Sequence, residues 1–206
     1  MPSSRSRRFD PRTLPDNYSH NVTPKDIIYY DEESDHYCFS ADNNTTYFPS
    51  TLIAFIDGAC IRNGDDDQAL AGYGVYFGPR SRHNLSAPLS PTERHTNQRA
   101  ELHAALGALN IIRQMRGFRN RQLDHVVLVT DSAYVTRSMS EFITEWRRNG
   151  YRTYFGDRIR NRDIIQALDE EIGEFNEGGI SVQFWQIPRE WNQRADRLAK
   201  DGARMA

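Results

Sequence analysis

Four carboxylates stand where a carboxylate is awkward. Asp57 closes the apolar run TLIAFI (51–56) and precedes Gly58, and Asp131 closes the run VVLVT (126–130). Desolvating an unpaired carboxylate costs several kcal/mol, so an acid at the end of a buried strand needs a reason. Glu101 falls in the first turns of a long helical pattern, and Asp196 in the first turns of the last one. If the strands ending at Asp57 and Asp131 are parallel neighbours, both acids emerge at one carboxyl edge, where open α/β sheets place ligands. The two helical acids can lean over that edge. Four carboxylates gathered there would repel one another and could not all stay ionised. Divalent cations relieve the repulsion: magnesium takes oxygen ligands, and two ions ~4 Å apart clamp the attacking and leaving oxygens of a phosphoryl displacement.

Each acid also has an ordinary reading. Asp131 before Ser132 is a helix-capping type, and Glu101 is a favourable acid near a helix N-terminus. Asp196 stands between Arg194 and Arg197 and could form a surface ion pair. Asp57 before Gly58 could start a turn. Taken singly, the ordinary readings hold; only the context of all four together overturns them.

The elements that must position these acids follow from periodicity. Strands are predicted at 51–56 and 71–77, with a weaker one near 82–89. A helix over 97–115 places Leu102, Ala105, Leu109 and Ile112 on one face. The uninterrupted run 126–130 fits a strand covered on both faces. Helices at 139–149 and 162–176, a strand at 180–187 and a helix at 192–205 complete the order β-β-β-α-β-α-α-β-α. That order predicts an α/β fold: a five-stranded mixed sheet, three antiparallel strands then two parallel, flanked by helices.

With 206 residues the chain fits one domain plus an appendage. Residues 1–49 read as an N-terminal extension. Its first 25 residues, rich in Ser, Arg, Pro and Asp, are expected to be poorly ordered; 27–48 carries the alternation of a short hairpin packed on the main domain. Residues 50–206 read as the catalytic domain. Charged residues make up 26% but nearly cancel, for a net of −2, so an anionic partner must be held by a local patch. No apolar run approaches the ~18–20 residues that span a bilayer, which excludes a membrane partner of that kind. The N-terminus lacks the apolar stretch of a secretory signal. Its four arginines suggest an organelle address, against which Asp10, Asp16 and the prolines argue. Cys38 and Cys60 make neither a disulfide framework nor a zinc site. A soluble, intracellular monomer in nucleus or cytoplasm is expected.

The four acids lie in four ordered motifs: FIDGAC (55–60), TNQRAEL (96–102), VTDSAYV (129–135) and NQRADRLAKDGA (192–203). Together, across 51–206, they resemble the type 1 ribonuclease H family in its cellular, eukaryotic-like form. The resemblance implies the ribonuclease H-like fold and endonucleolytic hydrolysis of the RNA strand of RNA–DNA hybrids, leaving 5′-phosphate and 3′-hydroxyl ends. It implies two Mg²⁺ ions, with Mn²⁺ as a substitute. Asp57 would bridge both ions, Glu101 and Asp131 would complete the leaving-group side, and Asp196 would hold the ion that activates water. By the same resemblance Asn63, Asn97 and Gln98 would read the hybrid's minor groove and the 2′-hydroxyls of the RNA strand. Amides suit that task because a 2′-hydroxyl both donates and accepts. The ordinary reading of Asn63 is a turn residue before Gly64. Arg94, Thr96 and Asn161 match positions that grip a DNA phosphate.

The segment 141–162 carries six arginines interleaved with Phe142, Trp146, Tyr151 and Tyr154. It resembles the family's basic protrusion, in which Phe142, Trp146, Arg147, Arg148 and Arg152 would hold the DNA strand. The plainer reading is a solvated basic helix face.

Two departures stand out. Many family members carry a histidine between the last strand and last helix, but IPREWNQRAD (187–196) is short and has none. Arg189 or Glu190 would have to substitute; acid–base help is typically worth ~10²–10⁴-fold. Residues 1–50 do not show the N-terminal hybrid-binding module of some eukaryotic members. A hybrid-binding protein with weak or absent cleavage is therefore the competing reading, followed by an interaction module acting through the extension.

Overall fold

A computed structural model describes residues 6–14, 22–41, 46–65, 68–115 and 123–206. A one-turn helix, α1 (Pro24–Ile27), leads into a hairpin of β1 (Ile28–Asp31) and β2 (His36–Ala41). The long β3 (Thr46–Ile61) follows, then β4 (Leu70–Tyr76) and β5 (Leu85–Pro88), each antiparallel to the strand before it. Helix α2 (Asn97–Gln114) comes before β6 (His125–Thr130), which runs parallel to β3. Helix α3 (Ala133–Arg137) passes through a π-helical turn, Ser138–Phe142, into α4 (Ile143–Asn149). Then come α5 (Arg162–Glu177), β7 (Ser181–Gln186) parallel to β6, and α6 (Gln193–Ala203).

The expected five-stranded mixed sheet is present as β3 to β7. The hairpin does not simply pack on it but extends it to seven strands. One edge of β3 is divided: β2 pairs with its first half, to Ile53, and β4 with its second, from Phe55 to Ile61. β6 takes the opposite edge over Thr51–Phe55.

Side-chain alternation on these strands builds two cores. Leu52, Ala54, Ile56, Val126 and Leu128 meet α2 and α5 through Leu102, Leu109, Ile165 and Phe175. Ile53, Phe55, Val127 and Val129 face the other way, toward Trp185, Ala195 of α6, and Phe9, Ile27 and Phe39.

That second core takes in part of the segment 1–25 expected to be loose. Residues 1–5 and 15–21 lie outside the described residues, but 6–14 are packed. The Phe9 N–H donates to Phe184 O at 2.9 Å, and the Phe184 N–H to Arg7 O at 2.7 Å, on the edge of β7 away from β6. The Phe9 ring is buried, stacked on Phe39 at 4.9 Å and tilted against Trp185 at 5.3 Å. Composition averaged over 25 residues hides one aromatic side chain whose backbone finds an unpaired strand edge. The helix expected to begin at 139 begins instead at Ala133, because the Ser132 hydroxyl caps it by accepting from the Val135 N–H at 3.1 Å. Among the described residues no helix is long and apolar enough to cross a membrane.

Candidate functional site

Asp57 lies inside β3, not in a turn: it pairs with Gly74 and is 6% exposed. Asp131 follows β6 directly. Since β3 and β6 are parallel, both acids fall at the same end of the sheet. Ser132, not Asp131, caps α3, so the Asp131 carboxylate is spared that task. α2 brings Glu101 in, and its approach depends on Gly58. A Cβ there would stand 2.2 Å from Glu101 N, so any side chain at 58 would push the helix away. α6 brings Asp196; its close seat on β4 depends on Gly74 in the same way, where a Cβ would meet Ala195 O at 2.5 Å.

The acids sense one another. Burial, then the charge of Asp131, pushes the Asp57 carboxyl up to about 8; Asp196 and Glu101 add to the shift, and the Gly58 N–H, donating at 2.8 Å, opposes it. Burial pushes Glu101 up to about 7 with the help of Asp131, against hydrogen bonds from Ser132 Oγ at 2.7 Å and Asn97 Nδ2 at 2.9 Å. Asp196 is tied by Arg189 Nη2 at 2.9 Å and Lys200 Nζ at 2.7 Å rather than by Arg194 or Arg197. Among the described residues no group of three or more His, Cys, Asp or Glu side chains is gathered closely enough to hold a metal ion as it stands. The donor set nonetheless fits a hard divalent cation. It offers carboxylate oxygens, and two of its carboxyls are disfavoured as bare anions by burial and crowding.

Three residues of the site escaped the sequence reading. Asn192, 1% exposed, donates from Nδ2 to Asp131 Oδ1 at 2.7 Å and to Ile56 O at 3.0 Å, tying the middle of β3 to the residue that follows β6. Ser132 holds Glu101 as well as capping α3. Lys200 holds Asp196 from one helical turn away, a spacing that could have revealed it. Asn192 and Ser132 lay in the quoted motifs, but nothing local distinguishes a side chain that orients an acid from one that caps a helix.

Beside the acids, Asn63, Arg94, Thr96, Asn97, Gln98 and Asn161 line one depression, joined by Arg99 and Arg160. The Thr96 hydroxyl caps α2, accepting from the Arg99 N–H at 3.2 Å. Asn63 Oδ1 accepts from the Asn97 N–H at 3.2 Å, and Asn97 also holds Glu101, so groove and acids share a residue. Asn161, in the left-handed region at φ 54°, donates from Nδ2 to the Tyr134 hydroxyl at 3.1 Å.

The basic segment is only partly the expected surface. Arg148 and Arg152 are exposed, and Phe142 packs on Trp146 at 5.6 Å. Trp146 rests partly on the main core. Arg147, expected to face DNA, is about half exposed and also grips Asp169 of α5 through Nε at 2.7 Å and Nη2 at 2.5 Å. The carboxylate on the neighbouring helix orients a guanidinium that remains open to solvent. At the tip, Tyr154 and Phe155 are 96% and 87% exposed.

On the short connection, Arg189 reaches the acids through Asp196, while Glu190 is exposed on the same 3₁₀ turn, Arg189–Trp191. Trp191 packs on the second core with the Lys25 ammonium 4.8 Å over its ring.

Fold and site together define an α/β domain with an acidic, cation-attracting sheet edge beside an amide-lined groove. The RNase H family profile matches residues 49–204. The chain belongs to the RNase H family, which is generally metal-dependent. It is similar to ribonuclease H1 of Mus musculus, 34% identical over 165 residues, covering 78% of this chain and 53% of that one. It is 33% identical to ribonuclease H of Hahella chejuensis over 160 residues, 76% of this chain and 95% of that one. The chain thus spans about half the length of the mammalian relatives it matches. Its fold resembles LC11-RNase H1, solved in complex with an RNA/DNA hybrid, at 22% identity and a TM-score of 0.52, over 74% of this chain and 96% of that one.

Proposed function

We propose that this chain cuts the RNA strand of RNA–DNA hybrids endonucleolytically, leaving 5′-phosphate and 3′-hydroxyl ends. The observation that carries the reading is the meeting of Asp57, Glu101, Asp131 and Asp196, from four separate elements, beside a groove that shares Asn97 with them. Two Mg²⁺ ions, or Mn²⁺ in their place, would be held by those acids and would supply charge neutralisation and an acidified water. Asp57, the most buried and crowded, would gain most from a cation and would be the acid shared between both. Asn192 holds Asp131 in position, and Ser132 and Asn97 hold Glu101. Asn63, Asn97 and Gln98 offer amides to the RNA 2′-hydroxyls, while Arg94, Thr96 and Asn161 take a DNA phosphate. Arg148 and Arg152, with Trp146 and Phe142, steady the DNA strand. Arg189 stands in for the absent histidine by charge alone, because a guanidinium stays protonated; Glu190 is left as the group for proton transfer.

The test is single-turnover cleavage of an end-labelled hybrid with Mg²⁺, with Mn²⁺ and with EDTA. Metal-dependent cuts in the RNA strand are expected; intact RNA under every metal condition would sink the reading. The ties from Arg189 and Lys200 to Asp196 favour one alternative, a hybrid binder with weak or absent cleavage. It would appear in the same assay as hybrid binding without product.

A further inference from the structure

The N-terminal segment 6–14 does more than cover the sheet. Arg7 carries its charge inward: its side chain is 11% exposed and that of Asp169 is 7% exposed, with Nη1 2.7 Å from Oδ1. The same carboxylate receives both bonds from Arg147 of α4 and the Tyr151 hydroxyl at 3.0 Å. Arg147 and Tyr151 form the root of the basic protrusion, on either side of the left-handed cap at Gly150. Next door, Arg8 pairs with Glu141 at 3.2 Å, on the π-helical turn that leads into α4. That pair is exposed and counts for little alone; the buried one does not. Arg147 and Tyr151 are hydrogen-bonded to this carboxylate, and Arg7 Nη1, buried without an aligned hydrogen bond of its own, adds a second positive charge in direct contact with it. Withdrawing one leaves the others to re-form around a buried charge. The arm itself is fixed by its backbone bonds to Phe184 and by the Phe9 ring.

We propose that Arg7 is a positioning residue for hybrid binding: through Asp169 it fixes Arg147 and Tyr151, and with them the aim of the protrusion's exposed basic side chains. The inference rests on the functional reading above and adds to it a part of the chain outside the residues matched by the family.

The test uses the full chain with Arg7→Met, which keeps the apolar stem, and Arg7→Lys, which keeps the charge. Hybrid cleavage is followed at steady state, and hybrid affinity by fluorescence anisotropy in the Asp57→Asn background. Arg7→Met is expected to raise KM and the dissociation constant by ~3–10-fold, with kcat changed by less than about twofold and lysine restoring most of the loss. In an Arg148→Ala/Arg152→Ala background, Arg7→Met should add almost nothing. Unchanged KM with only a lower melting temperature would make Arg7 purely structural and overturn the proposal. So would an undiminished KM effect in the doubly substituted background. A wild type that neither binds nor cuts hybrid would instead overturn the functional reading itself.

Discussion

The same two strands serve opposite ends. At the carboxyl edge of β3 and β6, burial and like charge hold Asp57 and Glu101 up at about 8 and about 7. On one face of those strands, Ile53, Phe55, Val127 and Val129 lie under Phe9, Phe39 and Trp185, where rings pack on rings and the apolar contacts need no ligand. The first region is costly as folded and is relieved by a cation; the second stabilises without any ligand. A protein can tolerate the crowded edge because the aromatic face offsets it. The two should therefore respond in opposite directions to the same kind of truncation.

The largest effect tests the edge. Asp57→Asn is expected to lower cleavage by ~10³-fold or more, since groups acting as one unit fail together. In EDTA the same change should stabilise the fold, raising the melting temperature by ~2–4 °C. The sign follows from linkage: a carboxyl at about 8 folded and ~3.9 unfolded makes metal-free protein lose stability as pH rises from ~4 to ~8. The variant should show a flatter slope. It should also gain little from magnesium, whereas wild type should gain ~2.7 kcal/mol at a hundredfold excess over Kd. Equal slopes and equal magnesium gains would erase the contrast between the regions.

Phe9→Ala tests the other side. Losing a ring stacked on Phe39 and against Trp185 should cost ~3 kcal/mol in denaturant unfolding. The magnesium gain should stay at the wild-type value. Lys200→Met is a smaller probe of the edge: releasing Asp196 should tighten metal binding by ~2–5-fold in calorimetry. The smallest effect is expected at Asp163, held to about 2 by hydrogen bonds from Arg99. The stability it contributes is present above ~4 and lost as pH falls toward ~2. Asp163→Asn should therefore lower stability slightly at neutral pH, converge with wild type as pH falls toward ~2, and so make the acid limb of a pH–stability curve shallower. Identical neutral-pH stability, or a gap that persists at pH ~2, would count against the pair as the source of the shift.

Much of the edge was legible because its signals are local. Two apolar runs ending in aspartate, one helical stripe and four short motifs are each read within about ten residues, and parallel pairing then brings the acids together. The aromatic face was illegible for the complementary reason. Phe9 meets Phe184 across the whole chain, and no periodicity in a short polar segment announces that partner. Arg147 shows the same limit in reverse. It is half exposed, as a basic protrusion requires, yet its hydrogen bonds go to Asp169 on another helix, a partner no local spacing announces. Asn192 needed two neighbouring strands before its amide had anything to tie.

Gly58 carries one last consequence. It takes no part in any chemistry, yet it sets the closest distance at which a helix can pass the strand beneath it. Even a methyl group there would act like a shim under a hinge, lifting Glu101 away while leaving every ligand atom intact. Tolerance to mutation should thus be narrow at a position that an inventory of reactive groups would pass over.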